Sequence, residues 1–519
     1  MSRSGHHKAL GLSALNGASK LLAIGKTMMV AALFGASASL DAFWVAYSLP
    51  LLLPSLLTTV VTVAFVPRFM ANLEGREGPE AWAGANTFFT VVVGVSLIAS
   101  AVMFVFADAL VGALAPGLAA EARGEAVSLS RLLLPCVPLL TLSSVLSALS
   151  NARERFVLPA LEGVLTNVTI IASALMLATH LGVMALTLGV LAGFVLQAGV
   201  LLWGNRDDLR RSIRPKLAFG HPDFRAPAAH LLPLFVGSVG SVFTGLINQY
   251  FLSHGETGAI SAMAYAAMFA FLPVEVFAQA VITTFYPTFG RHFARGEVDE
   301  AAQAFADGLR FLLFLTLPAA ILLMLFSEPL VALLLERGAF TPAQTELTAD
   351  ITEVLALGLI FRSAAFFNYR VLHAAVRPWL QVGIGLLGVA THLGLCHLWG
   401  DSGGAVGVAW AASVSMLQSA LLSLLAALWV LRWRWPKGLW PELGKLAAVA
   451  AAMAAVGLLL LPLVWPTLPE TRLFHAVEAM AIAFVAGVAG LACAWRLRQP
   501  DLQWIAAGIW GRLRRGTAP

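Results

Sequence analysis

The sequence predicts an all-α polytopic membrane protein with about 14 transmembrane helices, arranged as two six-helix lobes around a central cavity plus two C-terminal helices. Three observations carry this. Of the 519 residues, 59% are apolar and only 12% charged, a balance that excludes a water-soluble domain. Apolar runs of about 20 residues, each able to cross a hydrocarbon core of roughly 30 Å, recur from Leu10 to Ala494 with short polar breaks. The chain also repeats its own pattern at an offset of 220 residues.

The apolar runs delimit spans near residues 10–34, 41–71, 84–114, 127–150, 157–179, 181–203 and 227–253, then 257–289, 305–335, 346–373, 378–399, 405–431, 440–464 and 473–495. The N-terminal MSRSGHHK and the run behind it read as a retained first helix, because Lys20 and Lys26 interrupt any signal-peptide core. Pooling alternate loops tests the orientation. One set collects Arg3, Lys8, Arg68, Arg76, Arg153, Arg155, the cluster from Arg206 to Arg225, and the basic residues around Arg291, Arg370, Arg432 and Arg512. It holds 25 of the 33 Lys and Arg residues, against four in the opposite set: Arg123, Arg131, Arg337 and Arg472. Such a bias places both termini in the cytoplasm, and with anionic lipid it accounts for the net charge of +5 without nucleic acid. The stretch from Asp501 to Arg515 has the pattern of a short interfacial amphipathic helix.

At the 220-residue offset Gly35 falls on Gly255, Ala42 on Ala262, and Phe65, Pro67 and Phe69 on Phe285, Pro287 and Phe289. Phe106 and Asp108 fall on Phe326 and Glu328. A matched proline with flanking aromatics is far less common by chance than matched aliphatics. The division is therefore a lobe of residues 1–220, a lobe of 221–435, two further spans in 436–498, and a cytoplasmic tail of 499–519. An even span number per lobe gives the copies one orientation, related by an axis along the membrane normal, with a cleft between them suited to alternating access.

Ionisable groups at membrane depth are costly, which makes them functional candidates. In span 1, Lys20 and Lys26 are separated by about 9 Å of helical rise, and with Ser13, Asn16, Ser19 and Thr27 they occupy an arc of about 140°. Two ammonium groups so spaced could each take one phosphate of a diphosphate, with Asn16 beside them. Asp41 opens span 2, either as partner of a span 1 lysine closing an outer gate or as a helix N-cap. Glu275 follows Pro273 in mid-span, suited to binding a coupling cation or neutralising a cation across the cleft. Arg362 in span 10 faces substrate or pairs with a neighbour such as Glu353. Glu162, His392 and His397 read as structural. Cys136, Cys396 and Cys493 lie singly in apolar runs, and neither they nor His6 and His7 have metal-ligand spacing. No phosphate-binding glycine loop or zinc-protease motif supports an enzyme or an ATP-driven pump.

The stretches SKLLAIGK, FGASASLDAFWVAYSLP and AFVPRF, then SNARERFVLPALEGVLTNVTI, LLLERGAFT and FFNYRVLHAAVRP, in this order, resemble the lipid II flippase family of the multidrug/oligosaccharidyl-lipid/polysaccharide superfamily. The resemblance covers most of residues 10–435. It implies a transporter of the bacterial inner membrane, not an enzyme. Its cationic cavity would bind the diphosphate of undecaprenyl-linked peptidoglycan precursor and carry it to the periplasmic leaflet, driven by the membrane potential or a monovalent-cation gradient. By the same resemblance Lys20 and Lys26 stand where the family has arginines, and Asp41 is the gate aspartate. Other positions depart from the family: Pro54-Ser55 replaces a basic pair, and Met268 and Phe271 replace a charged pair, with Glu275 one turn on. These departures keep open a flippase for another polyprenyl-diphosphate oligosaccharide, such as an exopolysaccharide unit, and a non-transporting scaffold for envelope-synthesis enzymes.

Overall fold

The computed structural model describes residues 3–60, 83–211, 216–220, 231–434, 439–465 and 472–507. The repeat motif Phe65, Pro67 and Phe69, the loop arginines Arg68, Arg76, Arg214 and Arg225, and the tail arginines from Arg512 lie outside them. The described residues are helical and turn structure without strands. This satisfies the rule that backbone groups at membrane depth must bond within their own segment.

The first half comprises α1 (Arg3–Phe34), α2 (Ala38–Val60), α3 (Ala83–Val105), the short α4 (Ala107–Leu114), α5 (Ala120–Leu133), α6 (Val137–Ala152), α7 (Val157–Leu181), α8 (Met184–Gly204), α9 (Arg206–Arg211) and α10 (Leu231–Ser253). The second comprises α11 (Ala259–Pro273), a π-helical turn Val274–Ala278, α12 (Gln279–Arg295), α13 (Val298–Leu325), the short α14 (Ser327–Leu335), α15 (Pro342–Ala374), α16 (Pro378–Val430), α17 (Leu439–Leu460) and α18 (Arg472–Arg496). Among the described residues, 11 helical segments are long and apolar enough to cross a membrane. Ten coincide with one predicted span each, and Pro378–Val430 carries two. Within it Gly404 adopts φ 55° and ψ −140°, breaking the helix between the spans predicted at 378–399 and 405–431. The predicted seventh and tenth spans are helical as well, as α10 and α15.

The chain forms two compact units: residues 1–261 with 337–340, and residues 262–336 with 341–519. In the first, α7 and α8 pack closely because glycines line the contact. A Cβ on Gly189 would lie 2.7 Å from the Ile170 Cα, and one on Gly193 would lie 2.7 Å from the Thr169 hydroxyl. Small residues of this kind let membrane helices approach where lipid offers no hydrophobic driving force between them. The α10 helix, assigned by sequence to the second lobe, packs on α2 in this unit through Gln249, which accepts from the Ser48 hydroxyl at 3.1 Å and donates to the Trp44 carbonyl at 3.4 Å.

The second unit is centred on Phe367 of α15. Its ring stacks on Phe305 at 5.8 Å and meets Phe289 edge-on at 5.7 Å. The Pro342 start of α15 is set by a capping box, in which Thr341 and Gln344 bond reciprocally at 3.4 and 3.2 Å. The C-terminal hairpin α17–α18 packs on α13, with Phe314 buried against Leu446, Val449, Met453 and Ala494. An ion pair extends this packing beyond α18: Arg310 of α13 donates to both carboxylate oxygens of Asp501, at 3.0 and 3.2 Å. Asp501 lies in a helical turn at 500–507, which occupies the start of the predicted amphipathic tail.

Candidate functional site

In the first unit the α1–α2 corner carries a buried, multiply bonded carboxylate. Ser37 caps α2, its hydroxyl accepting from the Leu40 N–H at 3.3 Å. The capping role left open for Asp41 therefore falls to Ser37, and the Asp41 carboxylate points elsewhere. It is 4% exposed. One oxygen accepts from the Gly258 N–H at 2.7 Å, the other from the Ser261 N–H at 2.8 Å and the Ser261 hydroxyl at 2.6 Å. Three donors on one carboxylate satisfy a charge that burial would otherwise penalise heavily.

The approach requires two glycines. Gly258 has φ 90°, and a Cβ there would lie 2.3 Å from the Ala36 carbonyl oxygen. Gly338 has φ 61°, and a Cβ there would lie 2.2 Å from the Ala32 carbonyl oxygen. The next residue, Ala339, donates its N–H to that same Ala32 oxygen at 2.8 Å. The end of α1 and the start of α2 are thus tied to two segments more than 200 residues away by contacts that only glycine backbones permit.

Along α1, Asn16 and Lys20 are exposed and Lys26 is half-buried. The polar arc does not face one way. Ser19, on the same side as Lys26, is turned to α7, where a Cβ on Gly163 would lie 2.2 Å from its hydroxyl and Asn167 donates to its carbonyl at 3.2 Å. One edge of the arc is helix contact, and Asn16 and Lys20 form the exposed edge. Beside Gly163, Glu162 hydrogen-bonds Gln197 of α8 and acts electrostatically on Tyr47 of α2. Sequence reasoning read Glu162 as merely structural. Its link to three helices becomes visible only once α2, α7 and α8 are packed.

In the second unit Arg362 and Glu275 come together. The Arg362 guanidinium lies over Phe271 at 4.4 Å and Phe366 at 5.2 Å, and Glu275 acts on its charge. Of the partners open to Arg362, the structure provides Glu275 rather than Glu353. Glu275 sits in the π-helical turn after Pro273, an extra-residue turn that swings its carboxylate out of the α11 register. Phe271, where the family resemblance led us to expect a charge, is instead the ring on which a cation from another helix rests. Among the described residues no cluster of His, Cys, Asp and Glu could hold a metal ion.

The family model "Lipid II flippase MurJ" matches residues 30–476. The probable lipid II flippase MurJ of Rhizobium meliloti is 30% identical over 446 residues, covering 83% of this chain and 82% of that protein. The lipid II flippase MurJ of Burkholderia cenocepacia is 29% identical over 351 residues, covering 66% and 68%. Among solved structures, a lipid II flippase MurJ in an inward closed conformation superposes with a TM-score of 0.77 at 20% identity, over 92% of this chain and 98% of that one. An inward-facing multidrug resistance MATE transporter of the MOP superfamily superposes at 0.66 and 14% identity, over 80% and 95%. The fold is that of a multi-pass MOP-type transporter, and the chain belongs to the lipid II flippase MurJ family.

Proposed function

We propose that this protein is a flippase of the bacterial inner membrane, with both termini cytoplasmic, that carries undecaprenyl-diphosphate-linked peptidoglycan precursor to the periplasmic leaflet by alternating access. The observation that carries this reading is the family match across residues 30–476. The residues support it chemically. Lys20, on the exposed edge of α1, and Lys26, two turns further on, offer mobile positive charge to a diphosphate, with Asn16 donating beside them. In the second unit Arg362, held by rings and by Glu275, is a further candidate substrate contact. The Asp41 contact closes the outer end of α1 and α2 and acts as a gate that must release its donors for the substrate to leave. Energy comes from the membrane potential or a monovalent-cation gradient, for which Glu275 is the coupling carboxylate.

Expression in cells depleted of their own lipid II flippase tests the reading. The wild-type chain rescues growth, and the Lys20→Ala/Lys26→Ala variant inserts normally but does not. Rescue by that variant would remove the lysine site from the mechanism. The replacement of a charged pair by Met268 and Phe271 favours one second reading, a flippase for another polyprenyl-diphosphate oligosaccharide such as an exopolysaccharide unit. That reading predicts normal insertion without rescue by the wild-type chain, and restored export of the other polymer. A scaffold for envelope-synthesis enzymes predicts neither form of transport.

A further inference from the structure

At the end of the second unit where α12, α15 and α16 all terminate, the chain forms an open cavity of about 720 Å³. We propose that it is a binding site for one anionic glycerophospholipid, whose phosphate is held by Arg377 and Arg432. None of Lys20, Lys26, Asp41, Glu275 and Arg362 lines it.

Its lining includes the half-buried Phe293, Val298 and Val430 and the exposed Arg377 and Arg432. The backbone there offers few donors. Val376 and Arg377 turn their N–H groups back onto the carbonyls of His373 and Leu372 at 3.0 and 2.8 Å, and Trp433 donates to Leu428 at 2.7 Å. Recognition of a ligand therefore falls to the two guanidinium groups. Neighbouring charges are already matched: Glu297 lies 2.8 Å from His292, and Asp299 lies 3.3 Å from Arg434. Arg432 makes no ion pair among the described residues, and the Arg377 guanidinium rests over the Trp429 ring at 5.3 Å, which orients it without neutralising it. The local balance favours an anion with two or more acceptor oxygens.

The tryptophans beside the two arginines point to the source of that anion. Trp429, which lines it, is 50% exposed, and Trp379 and Trp433, within two residues of Arg377 and Arg432, are 56% and 60% exposed, the pattern of side chains at the headgroup level of a bilayer. Two exposed arginines with half-buried apolar side chains at that level match a phosphate with its glycerol and upper acyl chains. The backbone is built for the site at some cost: of five described non-glycine residues with positive φ, Val376 and Arg432, at 58° and 53°, both line the cavity. The orientation proposed above puts this end of the second unit at the cytoplasmic leaflet, but occupancy of the cavity does not depend on it.

Native mass spectrometry of the purified, delipidated full-length protein, titrated with phosphatidylglycerol or phosphatidylcholine, tests the proposal. The wild type retains one phosphatidylglycerol about tenfold more tightly than Arg377→Gln/Arg432→Gln, the effect of removing two interfacial charges. Ala294→Trp fills the cavity with both arginines in place and loses the same lipid. Equal phosphatidylglycerol retention by the wild type and both variants overturns the proposal. So does loss in the double variant without loss in Ala294→Trp, which would mark diffuse charge attraction. Equal retention of phosphatidylcholine, or displacement of the lipid by inorganic phosphate alone, overturns it too. These readouts do not involve transport, so they stand whichever saccharide the protein moves.

Discussion

Asp41 and Ser261 occupy equivalent positions of the 220-residue repeat, and they are hydrogen-bonded to each other through both the backbone and the hydroxyl of Ser261. Divergence between the copies is what makes the contact favourable. Two aspartates would repel and two serines would leave the buried site without a charge to gather its donors. Aspartate in one copy and serine in the other give an acceptor and a donor that fit.

Asp41→Asn keeps the shape of this contact but turns one of its acceptor oxygens into a donor, facing either Gly258 or Ser261. The expected loss is about 2–3 kcal/mol, that of charge-assisted bonds to a buried group. Ser261→Ala, which removes only the hydroxyl, is expected to cost about 1 kcal/mol. Thermal unfolding in detergent ranks the two. Midpoints equal to that of the wild type would show that the contact does not hold the corner closed.

Gly338→Ala tests the close approach to Ala32. The new methyl meets the Ala32 oxygen and the residue must hold φ 61°, whereas Gly296, at φ 72°, has nothing within 4 Å of its would-be Cβ. Gly296→Ala should therefore cost only the backbone penalty, about 1 kcal/mol. Gly338→Ala should cost more, and the difference in unfolding midpoint measures the clash alone.

Much of the fold was legible because the membrane imposes it. The helix break at Gly404 falls where the spans at 378–399 and 405–431 were separated, since a polar Asp401 and a pair of glycines interrupt two apolar runs there. The site was legible by residue type but not by partner. Asp41, Glu275 and Arg362 stand out as charges within apolar runs, yet Asp41 binds a backbone N–H of a left-handed glycine 217 residues away, which no spacing encodes. Ser19 matched the polar arc of α1 by periodicity. It is helix contact because Gly163 brings α7 against it, and an arc describes one helix without its neighbours.

Arg362 is held by aromatic faces and by Glu275, while its Nε is buried with no hydrogen-bond partner among the described residues. A lysine would keep the charge but lose the planar stacking, worth about 0.5–2 kcal/mol. Arg362→Lys should retain partial rescue of flippase-depleted cells, and Arg362→Gln a smaller but measurable part of it. If Glu275 acts through Arg362, the Glu275→Gln effect should shrink in the Arg362→Gln background. Strict additivity in that double-mutant cycle would separate the two residues.

The α17–α18 hairpin lies outside the repeat, and ion clusters hold it to the rest of the second unit at its loop and beyond its last helix. At the loop, Arg472 bonds Glu328 and lies 3.5 Å from Glu336, while the Trp465 indole donates to Glu328 at 3.0 Å. Beyond α18, Arg310 binds Asp501 and also Asp307, the latter at 3.0 Å. Between the clusters the contact is apolar, so the hairpin should move with α13 as one body during transport. Removing the buried Asp501 takes from Arg310 the partner that holds both its nitrogens and costs about 3 kcal/mol locally, whereas the Arg472 pair, whose Glu328 side chain is 36% exposed, is screened by solvent and costs less. Hydrogen exchange should then rise in residues 500–507 for Asp501→Ala and around Trp465 for Arg472→Ala, and the double variant should show both changes additively because the clusters share no residue. Unchanged exchange in both segments would mean that the apolar contact with Phe314 alone fixes the hairpin, and that the ion clusters only neutralise charges that packing has already placed.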